Sequence, residues 1–378
     1  MSTVNLDPDV FRAPLSAEAP AGVDLQADAA GRARRSALRD LREEARRIER
    51  QSDEGDAAAG GWPAAVPLWR QIRDEAVAML SDVSRDTSIA ALLIEALART
   101  DGFAGLAAGF TATSGMVEAG WSGLFPAPDP EDGPVTDELR TEERSMPLVR
   151  LAGLDAEGLL EPAIMRIPLT SDRGGDPLAL CHYKSSRDLV NETDGEKVQL
   201  AVSRGATSPE QFAQAVAGST VEFFRQNFAD LQAARTAWDG LCAAVEEASA
   251  GAAGIPAAPI RSLLEECDAA IRIFAPQSVP AEAEPVGAGA AGASPAAAGP
   301  HADGPVANRE AAFRQLEQIA GFFERNDPHS LLAAQLRNIV RLGRLPPAEY
   351  YRELIADGSA ADALFKFVGL HPPRADGG

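Results

Sequence analysis

The sequence predicts a mainly α protein. Ala, Leu, Arg and Glu dominate, apolar residues recur three and four apart, and Val, Ile, Tyr and Thr do not cluster with the period of two that marks a strand. The predicted order is a helical N-terminal part, a helical middle region, a flexible Ala/Pro/Gly linker and a small helical C-terminal module.

Leu38, Leu41, Ala45 and Ile48 share one face of an Arg/Glu-rich helix over about residues 32–51. Glu43 stands four before Arg47, the favourable order for a helical ion pair. Acids are interleaved with the arginines, so this charged face is expected to be solvated rather than an anion site. The turn-rich run SDEGDAAAGG follows. Trp69, Ile72, Ala76, Met79 and Leu80 mark a second helix. Ile89, Leu92, Leu93, Ala96 and Leu97 mark a third, stopped by Asp101-Gly102. Phe103, Leu106, Phe110, Val117 and Trp121 mark a fourth, weakened by Gly109 and Gly115.

The stretch WSGLFPAPDPEDG over residues 121–133 comes next. Asp129, Glu131 and Asp132 lack the alternating oxygen ligands of a calcium loop, and Pro130 stiffens the segment. It is expected to be an Asp/Pro/Gly turn, with Trp121, Leu124 and Phe125 tucked into the helical core. From about residue 156 to 207 the pattern is poor. RIPLTSDRGGDPLALCHYK has room for two short strands around its Gly-Gly turn. Helices resume at Ser208, with Pro209 at the first helical position and Gln211 closing a capping box. Ser219 and Glu222 suggest a second box. Phe223, Phe224, Phe228, Leu231, Trp238, Leu241 and Val245 carry a long helix, and another spans about residues 260–274.

Residues 276–307 have no aromatic and no basic residue, and little apolar bulk. They cannot bury enough surface to offset ordering entropy, so a linker is expected there. Apolar stripes return in residues 308–378. Phe313, Leu316, Ile319, Ala320 and Phe323 form one; Leu332, Leu336, Ile339 and Val340 a second; Tyr350, Tyr351, Leu354 and Ile355 a third; Leu364, Phe365 and Val368 a last. A helical module of roughly seventy residues is marginal alone, and self-association is one usual remedy.

Charge and cysteine content narrow the function. With 35 Lys and Arg against 56 Asp and Glu, the net charge is −21. That disfavours coating nucleic acid or an anionic membrane, because phosphate binding needs a basic stripe. Cys181, Cys242 and Cys267 are odd in number and far apart, which suggests a reducing compartment. The start MSTVNLDPDVF has no basic and apolar leader pattern, and the apolar run 89–98 is broken by Glu95 and too short for a bilayer. A cytoplasmic protein is expected.

No motif carries chemistry. GAGAAG at 287–292 matches a dinucleotide fingerprint, but it sits in low complexity with no strand before it. His182, His301, His329 and His371 are scattered, and no CxxC or HxxxH exists to hold zinc. NDPHS at 326–330 reads as a helix start, with Asp327 as cap, Pro328 next and His329 in the first turn. There is no GxSxG and no phosphate-binding GKS/T loop. No catalytic group, metal or cofactor is assigned.

Several ordered segments resemble a known family. APLSAEAPAGVDLQAD at 13–28, with Gly22, Asp24 and Leu25, is similar to the opening of the ImpA N-terminal domain of type VI secretion TssA proteins. The likeness continues through Trp69, SRDTSIAALLIEALARTDGFAGLAAG at 84–109, EAGWSGLFPAPDPEDG at 118–133 with Trp121 and Pro126, PLVRLAGL at 147–154 and LLEPAIMRIPLT at 159–170. It places this domain at residues 1–172, followed by a helical middle region at 173–275, the linker at 276–307 and the C-terminal module at 308–378. The segment REAAFRQLEQIAGFFERNDPHSLLAAQLRNIVRLGRL resembles the C-terminal helices of some members, with Asp327 for the usual Glu and Leu331 for the second Pro. RDTSIA departs too, with Thr87-Ser88 where the family has Leu-x.

The resemblance implies a non-enzymatic assembly protein of a Gram-negative bacterium. It would form a ring through its C-terminal module and meet baseplate, sheath and tube subunits, without nucleic acid or membrane insertion. Phe313, Leu316, Phe323, Leu336, Ile339, Tyr350 and Leu354 are the candidates for core and interface in that module. Two alternatives stand beside it: a monomeric adaptor that binds one partner through its acidic N-terminal domain, and an enzyme with a carboxylate site within 156–207.

Overall fold

The computed structural model describes residues 6–53, 62–129, 131, 133–153, 158–171, 173, 176–192, 194–279, 313–314, 316–317, 320–321 and 332–344. The chain divides into two units, Met1–Pro285 and Val286–Gly378. It is mainly α. In the first unit the helices are α1 (Pro8–Arg12), α2 (Ala29–Asp53), α3 (Trp62–Asp82), α4 (Thr87–Gly120), α5 (Asp137–Ala152), α6 (Glu161–Met165), α7 (Leu180–Asn191), α8 (Gly195–Ser203), α9 (Pro209–Gly218), α10 (Val221–Ala248) and α11 (Ala257–Phe274). The second unit contains α12 (Leu332–Arg344).

α4 is the centre of the first unit. Its interior positions are apolar all round, as expected of a helix with neighbours on every side. It bends at Gly102, whose φ of 61° and ψ of −138° leave the helical region. The expected stop at Asp101-Gly102 is therefore a sharp kink between two helical halves. The halves double back on each other, because a Cβ at Gly105 would meet the Leu97 carbonyl oxygen at 2.4 Å. The return brings the run after α4 beside the run before it: Phe125 N–H donates to Arg85 O, and Thr87 N–H to Phe125 O.

Against α4 pack α3 on one side and α10 along most of its length. Phe110 and Trp238 meet at 5.1 Å between ring centroids. A single apolar core runs from Phe11 in α1 to Ala275 after α11. The middle helices thus share their core with the N-terminal ones.

Three local expectations need correction. Among the described residues, RIPLTSDRGGDPLALCHYK forms no strand pair. It makes one isolated antiparallel bridge, Pro168 to Ala179, and then enters α7. Pro168 has no N–H to donate, so a ladder cannot be extended through it. The box at Ser208 and Gln211 is present, with both bonds made. The second box is not: Thr220 caps α10 by accepting from Phe223 N–H. Ser219 instead donates to Ala215 O and accepts from Ser171 N–H. The third concerns the charged face of α2, described below.

In the second unit, Phe313 and Ala320 are buried, and Arg344 Nη1 lies 2.9 Å from Glu317 Oε1. The guanidinium of Arg344 also sits 5.5 Å over the Phe313 ring. GAGAAG, NDPHS, His301, His329 and His371 lie outside the described residues.

Candidate functional site

The segment that opens the N-terminal pattern is built on close backbone approach. Gly22 has φ of 79°, and a Cβ there would come within 2.1 Å of Val83 O. Only glycine allows the chain to lie against the end of α3, where Val23 N–H donates to Val83 O and Arg85 N–H to Ala21 O. Two residues on, Asp24 Oδ1 accepts from Gln26 N–H and turns the chain. Leu25 is fully buried beneath Gly31, at the start of α2.

The WSGLFP run is held by charge on carbonyls. Arg144 of α5 is buried, donating from Nε to Leu124 O at 2.8 Å and from Nη2 to Ser122 O at 2.6 Å. Burial pulls its guanidinium below the ordinary arginine range. Trp121, Leu124 and Pro126 are buried, and Phe125 is half-buried. Beyond them Glu131 N–H donates to Asp129 Oδ1, a turn within the acidic loop.

Between these pieces lies a groove of about 1140 Å³. Its walls are the Asp24–Ala27 stretch, one face of α2, the first turns of α4, the end of α5 and the loop from Ala127 to Glu131. α2 contributes Arg32, Arg35, Arg39 and Arg42, and α5 contributes Arg150.

The arginines of α2 do not all point to water, which corrects the expected solvated face. Glu95 of α4 is buried between Arg42 Nε at 2.7 Å, Arg46 Nε at 3.1 Å and Arg99 Nη1 at 3.4 Å. The last two approaches fall short of hydrogen-bond geometry and act as charge pairs. Beside it Glu49 accepts from Arg99 Nε at 2.7 Å and from the Trp69 indole N–H at 2.7 Å. Arg99 lies 4.2 Å over the Trp69 ring. Trp69 therefore anchors a buried ion network, not a ligand pocket. Removing one member of such a network leaves the others uncompensated, at roughly 3–5 kcal/mol.

Cys181 and His182 occupy the first turn of α7, where His182 Nδ1 accepts from Ala179 N–H. That is a helix-start contact. Burial pushes the Cys242 and Cys267 thiols up to about 12. No three His, Cys, Asp or Glu side chains converge on a metal-sized site among the described residues. No described helix is long and apolar enough to cross a membrane.

Of the C-terminal candidates, Phe313 is buried, Leu316 and Leu336 are half-buried, and Ile339 is 53% exposed. Ile339 is thus outside the core of its unit and remains a contact candidate. Phe323, Tyr350 and Leu354 lie outside the described residues.

A kinked central hairpin, a glycine-tight opening segment and an arginine-clamped WSGLFP turn organise the N-terminal part of the first unit. Residues 12–153 match the family described as ImpA, N-terminal, type VI secretion system. The chain is 28% identical to type VI secretion system component TssA1 of Pseudomonas aeruginosa PAO1, over 98% of this chain and the whole of that protein. The family match covers the N-terminal part of the chain, and the likeness to the TssA component extends over nearly all of it. Its fold is similar to a solved N-terminal domain, including the conserved ImpA_N region, of the TssA component from Burkholderia cenocepacia. That match has a TM-score of 0.56 and 22% identity, and covers 74% of this chain and 97% of the other.

Proposed function

We propose that the chain is a non-enzymatic scaffold that gathers its N-terminal domains into a ring for baseplate and sheath–tube assembly. The observation that carries this is the end-to-end alignment with a type VI secretion component, C-terminal part included. The buried charges support a structural role, since Glu49, Glu95 and Arg99 are spent on one another. In this proposal residues 1–172 and 173–275 form the part held outward, 276–307 the tether and 308–378 the self-associating module. The protein works in the cytoplasm, where baseplate, sheath and tube subunits are its partners.

The mechanism is multivalency. A ring raises the effective concentration of weakly binding domains around a symmetric target, without any new contact. Closed symmetry also terminates a repeated head-to-tail interface. α12 offers Leu336 and Ile339 on neighbouring turns for that interface. The test is light-scattering mass of the full chain and of Leu336→Asp. The full chain is expected to be a large multimer and the variant a much smaller species with unchanged helical signal. A full chain that stays monomeric across concentration would overturn the proposal and favour the single-partner adaptor.

A further inference from the structure

We infer that the arginine-lined groove of the first unit is a docking site for an extended acidic peptide whose carboxylates alternate with aliphatic side chains. This deepens the scaffold proposal by giving its N-terminal domain a partner chemistry. Its test reads binding rather than mass, so the two fail separately.

Arg32, Arg35, Arg39 and Arg42 follow one another by three, four and three residues. That spacing keeps them on one strip of α2, about 15 Å long at 1.5 Å per residue. Arg150 comes from the facing helix. In a chain of net charge −21, five guanidiniums around one groove are a marked local reversal.

The acids that line the groove do not neutralise them all. Glu95 is taken by Arg42, Arg46 and Arg99. Asp24 and Asp129 each accept from an amide of their own loop, and Glu131 stands exposed at the lip. Arg32 donates to the Gln26 carbonyl and Arg39 to the Ser36 hydroxyl, both neutral; Arg39 Nε is also 4.0 Å from exposed Asp40. Arg35 and Arg150 have no hydrogen-bond or ion-pair partner among the described residues; Arg35 acts only at a distance, on buried Asp86. A guanidinium fork takes a carboxylate through two parallel bonds.

Size and floor point to a peptide. At about 1140 Å³ the groove exceeds the roughly 300–1000 Å³ of small-ligand pockets. Leu92 and Leu159 line it half-buried, with Leu38, Ile89 and Leu151 buried beneath, so a bare anion would leave the two half-buried leucines uncovered. A long polyanion is disfavoured by the net charge of −21 on the chain as a whole. A short segment stays within the Debye length of about 8 Å from the arginines.

The experiment is fluorescence anisotropy on the full chain, with a labelled 8-residue peptide of alternating Glu and Leu, about 26 Å long when extended. The probes for comparison are its Gln–Leu counterpart and an 8-nucleotide single strand. The Glu–Leu peptide is expected to bind at least about tenfold tighter than either, and to weaken several-fold as salt rises. Arg35→Gln with Arg150→Gln is expected to weaken it about tenfold, whereas Arg225→Gln on α10 leaves it unchanged. If the double variant loses helical signal, exposed Arg150→Gln alone decides, with about a threefold loss expected. Absence of binding, equal binding of the Gln–Leu peptide, preference for the oligonucleotide or indifference to the arginine variants would each overturn the assignment.

Discussion

Asp86 caps α4 with one carboxylate oxygen and buries the other. Oδ1 accepts from Ser88 N–H at 2.7 Å, while Oδ2 is buried without a hydrogen-bond partner. Desolvation raises the carboxyl above its ordinary value, against the pull of Ser88 and Arg35. A raised acid binds protons more tightly folded than unfolded. Its contribution to stability is therefore full below the unfolded value of 3.8 and is lost as pH rises through the folded one. Asp86→Asn keeps a cap and removes the titration. Urea midpoints are expected to shift in favour of the natural protein as pH falls from 7 toward 4; a difference constant with pH would exclude the mechanism. Little of this was legible in the residues alone. Asp86 lies in SRDTSIA, a segment singled out for resemblance and not for capping. The same holds for Arg42 and Arg46, whose buried partner Glu95 is some fifty residues away on another helix. Interleaved Glu and Arg on one helix look solvated until the neighbouring helix is in place.

Helices were legible where amphipathic spacing and end signals agreed. α9 starts where Ser208, Pro209 and Gln211 place it, and α10 and α11 follow their apolar stripes. The start of α10 shows the limit. Ser219 and Thr220 are both able to cap, and the sequence does not rank them. The frame is set by tertiary contact, because Ser219 is engaged by Ser171 N–H from a distant loop. Thr220→Ala is expected to cost about 1 kcal/mol, read as a lower urea midpoint at unchanged slope. An unchanged midpoint would mean the cap bond contributes nothing. The groove was less legible still. Its arginines and the Asp129 turn were each visible and Asp24 entered only through the resemblance, but their convergence depends on α4 doubling back at Gly102, which brings Phe125 beside Arg85.

One apolar core joins the N-terminal and middle helices of the first unit, and this packing predicts that they unfold together. The resemblance to the family N-terminal domain ends near residue 170, yet the core continues across that point, through Phe110 and Trp238. Similarity follows sequence segments; packing follows surfaces, and the apolar side of α4 is completed only by α10. Trp238→Ala is expected to destabilise by about 3–5 kcal/mol. Far-ultraviolet dichroism and the fluorescence of the remaining tryptophans should then lose signal at one shared, lowered midpoint. Separate midpoints would show that the middle helices melt alone. The same packing has a consequence for synthesis. A ribosome making this chain finishes α4 at Gly120, about 120 residues before it reaches Trp238, an interval of roughly 6–24 s at 5–20 residues per second. During that interval Leu106, Phe110 and their neighbours have no α10 to cover them. The nascent chain then carries an apolar face open to water until α10 is complete, and the rate of elongation sets how long that face stays open.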